Sequence, residues 1–308
     1  MEKCLIVINF NAGSSKKISF EKVEKCLGNR YEYTHLSLPQ DKFSSSKGFD
    51  AVAVCGGDGT LASIIQDTYD KPIKVFYFPV GTLNDKAKAV RYANARAKCP
   101  SCDETPRTKP IVVGKLNALI KDGEYLTTDC GADIFTYVLA SGSFTPIGYT
   151  STPEEKKRFG TLAYIAKIVK EYKPYRMKTS IICDKKKYDG EFTLVMFVKS
   201  PRCFGFKFNK AFNQESASGH LLAIRSPKHD GFLGCAEMFF PFFKAFFIGL
   251  KKERDKGKII FKQVYSATLE NEDEMVFCKD GEMLKKDKGI YKISFKRTLC
   301  DFCVIEKF

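Results

Sequence analysis

Three glycines in four residues, Gly56-Gly57-Asp58-Gly59, followed by Thr60 and set directly behind the apolar run 51–55, constrain this chain more than any other feature. Glycine takes positive φ and lets backbone approach closely because it carries no Cβ. Such a run behind a strand marks a tight strand-to-helix turn. A helix expected over 61–69 would start near Thr60, bringing unpaired N–H groups and the positive helix end to one spot. Phosphate suits that spot, and Asp58 beside an anion calls for a divalent cation between them. The plainer alternative is an ordinary turn with Asp58 as the helix N-cap.

A second turn, Pro79-Val80-Gly81-Thr82-Leu83-Asn84-Asp85, follows the apolar run 73–79 and leads into an expected helix over 83–97. A third, Asn9-Phe10-Asn11-Ala12-Gly13-Ser14, follows the run 5–10. Turns at the carboxyl ends of neighbouring parallel strands form one crevice, and a nucleotide is the natural ligand for three of them. Neither GxxxxGK[ST] nor GxGxxG occurs, and the HRD and DFG motifs of protein kinases are missing.

The 308 residues suit two domains. Strands expected at 5–10, 31–38, 51–55 and 73–79 alternate with helices at 15–27, 61–69 and 83–97, the pattern of a doubly wound, parallel α/β domain over 1–108. The turn-rich stretch 98–109 reads as a linker. Beyond it, strands are expected at 111–120, 125–130, 176–183, 192–198, 220–224, 259–269, 274–278, 290–295 and 299–305. Helices are expected only at 160–172 and 234–250. That composition predicts a mainly antiparallel, β-sandwich-like domain over 109–308, with a tail from about 296 to 308 packing back onto the first.

The formal charge of +15 favours acidic partners: nucleotide phosphates, nucleic acid or an anionic membrane surface. No nucleic-acid-binding module occurs and the basic residues are dispersed, so nucleic acid is set aside. The first fourteen residues lack a secretory pattern and no run reaches about 20 apolar residues, which predicts a cytoplasmic chain with nothing spanning a bilayer. Twelve cysteines then read as reduced, mostly core thiols. Cys99 with Cys102, and Cys300 with Cys303, have half-zinc-site spacing, but the second pair falls in a strand that would point them to opposite faces. The segment 232–250 carries seven phenylalanines and precedes Lys251-Lys252-Glu253-Arg254. It reads either as a helix at an anionic membrane interface or as a core helix with Phe239, Phe243, Phe246 and Leu250 as its buried stripe.

GGDGT at 56–60, PVGTLND at 79–85, the N-x-x-x-G turn at 9–13, Gly160 with Tyr164, and Lys279-Asp280-Gly281-Glu282 together resemble the diacylglycerol kinase catalytic domain. That domain is shared with sphingosine kinases and bacterial lipid kinases. GGDG alone would not suffice, since NAD kinases and phosphofructokinases carry a similar turn. The resemblance implies ATP in a cleft between an α/β and a β-rich domain, cradled by Gly56, Gly57, Asp58, Gly59 and Thr60. Asn9, Asn11, Gly13, Thr82 and Asn84 would contact the nucleotide, and Asp58, Asp85 and Glu282 would hold Mg2+. Asp280 would take the proton from a lipid hydroxyl at an anionic membrane surface, with diacylglycerol the first acceptor and phosphatidic acid the product. The chain would work at the inner face of the membrane, as a monomer or a homodimer.

Four positions depart from the resemblance: Phe10 replaces a proline, Val112 and Ser218 replace acidic residues, and a glycine-rich turn is reduced to Phe204-Gly205-Phe206. Ser218 removes an acid that supports a structural magnesium in some bacterial members. A sphingoid base, a prenol or NAD are alternative acceptors. A nucleotide- or lipid-binding relative without turnover is the alternative from another class.

Overall fold

Four apolar runs near the N-terminus become parallel strands: β1 (Glu2–Asn9), β2 (Tyr31–Leu38), β3 (Ala51–Gly56) and β4 (Lys74–Pro79). The computed structural model describes residues 1–82, 84–90, 96–98, 108–122, 125–143, 175–203 and 206–306. The chain divides into a first unit, Met1–Ile111 with Arg297–Phe308, and a second, Val112–Lys296.

In the first unit β1 pairs with both β2 and β3, β3 pairs with β4, and β4 pairs with the end of β16 (Gly289–Glu306), all in parallel. The order β2-β1-β3-β4-β16 reverses direction between β1 and β3, and ligands bind at such switch points. Cys4, Ile6, Ile8, Ala51, Ala53 and Cys55 share one buried cluster with Val23, Cys26 and Leu27 of α1 (Phe20–Leu27). The alternate residues Leu5, Val7, Val52 and Val54 are equally buried. Side chains alternate across a strand, so both sheet faces are covered, as a doubly wound sheet requires. Ser19 ends the expected 15–27 helix early on its N-terminal side by capping α1, and only a short 3-10 turn, Ser15–Lys17, precedes it.

The second unit is antiparallel and built on β10 (Lys186–Val198), which pairs with β8 (Val138–Gly142), β9 (Met177–Cys183) and β11 (Gly219–Arg225). Phe192, Val195 and Phe197 enter one apolar cluster, whereas Leu194, Met196 and Val198 enter another. A strand buried on both faces reads as an unbroken apolar run, which is why it was plain in the sequence. The second cluster is closed by a helix, α4 (Gly231–Phe242), continued as a π-helix over Phe243–Ile248. The expected pairing of an α/β domain with an antiparallel β domain is thus present.

Several boundaries move. Of the expected helix 83–97, the described residues form α3 (Asp85–Val90) and a strand, β5 (Arg96–Lys98), whose pairing with β16 overrides local helix propensity. The run 259–269 splits at exposed Tyr265 into β12 (Ile259–Val264) and β13 (Ser266–Asn271), whereas 290–295 and 299–305 fuse within β16. On α4 the buried residues are Gly234, Met238 and Pro241, with Ala245 on the π-helix; of the core-stripe alternative Phe246 and Leu250 pack inward, while Phe239 and Phe243 are exposed. The helix expected at 160–172, Gly160, Tyr164, Cys99, Cys102, Leu83 and the Phe204-Gly205 pair lie outside the described residues. Nine of the described cysteines are free and eight of those are buried.

His220 of β11 is buried, stacks on Phe261 at 5.1 Å, and holds Nδ1 3.2 Å from Asn209 Nδ2. Burial, with the charge of Lys199 adding to it, pushes its imidazole down to about 4. The unfolded imidazole takes up a proton first as pH falls, so this group's stabilisation is complete above its ordinary value near 6.5 and is lost toward pH 4. Urea unfolding at pH 7 and pH 4.5, followed by circular dichroism, should show the wild type losing about 2 kcal/mol more than His220→Gln over that step.

Candidate functional site

The GGDGT turn begins its helix earlier than the sequence suggested. Gly56 ends β3, Gly57 is the N-cap, and Asp58 is the first residue of α2 (Asp58–Thr68). Asp58 does not cap its own helix. Its two carboxylate oxygens accept the backbone N–H groups of Asp85 (2.8 Å) and Lys86 (3.0 Å), the first two residues of α3. One carboxylate therefore satisfies the opening donors of a second helix and ties turn 56–60 to turn 79–86.

Backbone packing tightens the same junction. A Cβ built on Gly81 would stand 2.4 Å from the Cα of Gly57, a distance no real side chain adopts. Both Val80 and Gly81 donate their N–H to the Gly56 carbonyl, at 3.1 and 3.2 Å. Asn84 sits at φ 48°, which asparagine tolerates better than most residues, and its amide donates to the Gly81 carbonyl at 2.8 Å. The third turn joins through Asn9, whose Nδ2 donates to Thr60 Oγ1 at 2.9 Å while its Oδ1 accepts the N–H of Asn11 at 3.0 Å. Ser14 N–H donates to the Val80 carbonyl at 2.7 Å, and a Cβ on Gly13 would meet Thr82 Oγ1 at 2.8 Å. The structure thus brings Asn9, Asn11, Gly13, Gly56, Gly57, Asp58, Gly59, Thr60, Thr82 and Asn84 into one assembly at the carboxyl edge of the sheet. A solvent-open cavity of about 430 Å3 adjoins it, bordered by Asn9, Asn11, Lys42, Phe43, Thr60 and Ser63.

Asp85 is fully buried, as is Lys86, and its backbone N–H is bound by Asp58. Among the described residues no group of three or more His, Cys, Asp or Glu side chains could hold a metal by itself. Magnesium borne by a nucleotide needs only one or two protein carboxylates, its other ligands being phosphate and water. Asp58, a carboxylate at the first turn of α2, suits that lesser demand.

In the second unit, Asp280-Gly281 turns β14 (Met275–Lys279) into β15 (Glu282–Lys286), a strand the sequence reading passed over. Asp280 has φ 51° and is buried, and its carboxylate accepts the N–H groups of Thr136, Tyr137 and Val138. Burial pushes its carboxyl above the usual range, and the three donors pull it back. A base must reach the proton it takes. Asp280, expected as that base, is bound to the backbone of residues 136–138, a contact that positions this turn. Glu282, two residues on, has solvent on one side and protein on the other. That packed side raises its carboxyl, with the charge of Lys279 opposing.

The two departures from acidic residues also have local reasons. Val112 is buried in the apolar cluster around Phe197, where a carboxylate would be costly. The turn at Ser218 closes over the buried ammonium of Lys199, which donates to the carbonyls of Asn213 (2.9 Å), Ser216 (2.5 Å) and Ser218 (2.8 Å). A protein cation already gathers that loop. No local signal in the sequence marked Lys199 for this part.

Residues 3–116 match the family model for the diacylglycerol kinase catalytic domain. A Streptococcus pneumoniae serotype 4 protein, provisionally described as a lipid kinase, is 25% identical over 181 residues, which is 55% of this chain and 57% of that protein. A Staphylococcus aureus (strain JH9) diacylglycerol kinase is 26% identical over 126 residues, 39% of this chain and 35% of the relative. The match therefore spans under two thirds of either curated relative. A solved Bacillus anthracis str. Sterne structure, provisionally described as a diacylglycerol kinase, shares the fold over 98% of this chain and 97% of its own, with a TM-score of 0.66 at 18% identity. Over residues 3–116 the chain is thus similar to the diacylglycerol kinase catalytic domain.

Gly81→Ala should force the turns at 57 and 81 apart. A melting temperature several degrees lower, equivalent to about 1–3 kcal/mol, is expected by scanning calorimetry.

Proposed function

We propose that this chain is a lipid kinase that transfers the γ-phosphate of ATP to a lipid hydroxyl, with diacylglycerol the first acceptor to test. The observation that carries this reading is the locked assembly of three turns at the start of α2, within a segment related to diacylglycerol kinases. The N-terminus of α2 and the side-chain-free surface of Gly57 and Gly59 suit phosphate oxygens. Asn11, Thr82 and the adjoining cavity offer contacts to the rest of the nucleotide. Magnesium, arriving on the phosphates, would offset their charge, with Asp58 its protein ligand.

The transfer forms a bond from the lipid oxygen to the γ-phosphorus as the bond to the β–γ bridging oxygen breaks, releasing ADP. The hydroxyl proton needs a carboxylate, and Glu282 is the member of its turn that reaches solvent. In this reading Glu282 takes that proton and Asp280 positions the turn. The chain would act at the cytoplasmic face of a membrane, where its acceptor resides.

Transfer of labelled γ-phosphate from Mg-ATP to diacylglycerol, a sphingoid base and a prenol in mixed micelles tests the proposal. Glu282→Gln should lower kcat by about 10²–10⁴-fold, leave KM for ATP nearly unchanged and abolish the rise of activity with pH. Asp280→Asn should act through a lower melting temperature and should leave the shape of the pH profile intact. ATP binding without a labelled product from any lipid would favour the reading of a binding protein without turnover. A pH profile lost with Asp280→Asn and kept with Glu282→Gln would return the base to Asp280.

A further inference from the structure

Seven apolar side chains on the helical segment of the second unit face solvent. Phe239, Phe243 and Phe247 recur at i, i+4 and i+8 and stack in a ladder, with ring centroids 6.0 and 5.4 Å apart. Phe240 and Ile248 flank the ladder, and Phe232 (86% exposed) and Leu233 stand at its N-terminal end. An exposed apolar row of this length on a folded domain marks a binding surface.

The opposite side of the segment belongs to the domain. Met238, Ala245 and Leu250 are buried in the cluster around Leu194 and Phe261, with Phe242 and Phe246 packed against it. Glu237 is held by Lys258 at 2.8 Å, which with the N–H of Lys228 lowers its carboxyl to about 2. By length and mean hydropathy alone, 18 residues at 1.4, Gly231–Ile248 could cross a membrane. A helix with one face fixed to its own sheet lies along a surface and does not thread through it.

Charge selects the surface. Lys244, Lys251 and Lys252 lie on or just beyond the segment. Lys207 and Lys210 border it, for Phe206 packs on Phe247 at 5.4 Å and the Lys210 side chain lies beside Gly249. None of these five ammonium groups has an ion-pair partner among the described residues. The acidic neighbours Glu237 and Glu253 are paired with Lys258 and Lys262. A second copy docked through the same ridge would set like charges against each other.

We propose that the phenylalanine ridge and its lysine rim form a docking face for an anionic lipid surface, the aromatic rings entering the interfacial layer and the lysines meeting the headgroups. This deepens the lipid kinase reading, and its test uses neither ATP nor acceptor. Sedimentation of the full chain with vesicles should show binding to mixed phosphatidylcholine and phosphatidylglycerol and little binding to phosphatidylcholine alone. The variant Phe239→Ser/Phe243→Ser/Phe247→Ser and the variant Lys244→Gln/Lys251→Gln/Lys252→Gln should each partition at least about tenfold less. Both sets lie at the surface, and unchanged circular dichroism would certify their folds. Equal binding by the wild type and the serine variant would overturn the proposal. So would a wild-type dimer that becomes monomeric in the serine variant without vesicle binding, or vesicle-bound chain that resists alkaline extraction as a spanning helix does. Vesicle binding by a chain that phosphorylates no lipid would sink the kinase reading alone.

Discussion

The carboxylate of Asp58 is the tie on which the N-terminal unit's ligand edge depends. It sits at the first turn of one helix and receives the opening N–H groups of another. Charge-assisted bonds of this kind contribute about 1.5–3 kcal/mol each, and they fix direction as well as distance. The contact of Gly57 with Gly81 then sets the turns edge to edge, at a distance only a missing Cβ permits. Asn9 adds β1 through Thr60. A polar concavity held this firmly before its ligand arrives loses little entropy on binding, which is where the affinity of a preorganised site comes from.

The second unit uses charge in a related way. Asp280 collects three backbone donors at residues 136–138, and Lys199 collects three backbone acceptors at residues 213–218. Each ion is buried and each is compensated by main-chain dipoles, which avoids the cost of an isolated buried charge. The proposed chemistry divides labour inside Asp280-Gly281-Glu282. One carboxylate holds the turn, and the next reaches solvent.

Much of this was legible in the sequence, for identifiable reasons. β3 and β10 are buried on both faces, so they read as unbroken apolar runs. The glycine turns read clearly because glycine clusters behind strands have few other uses. What stayed hidden was which group each polar side chain would choose. Asp58 finds its partners 27 and 28 residues along the chain, and nothing near it in sequence announces α3. The inward turn of Asp280 and the burial of Asp85 were hidden for the same reason, since motif positions carry no direction. The helix expected to 97 failed where β5 gained a neighbour in β16, a long-range pairing that outweighed local propensity. The two readings of the phenylalanine-rich segment stayed open because apolar residues populate both sides of that helix, so periodicity could not tell the buried side from the exposed one.

Hydrogen–deuterium exchange of the full chain with and without Mg-ATP tests the central claim, that the three tied turns are a nucleotide site, most directly. The account predicts slower exchange on nucleotide addition in peptides covering 9–14, 56–60 and 79–86 together, and loss of all three effects in Asp58→Ala. Protection confined to one of these turns, or protection elsewhere with these three unchanged, would contradict it.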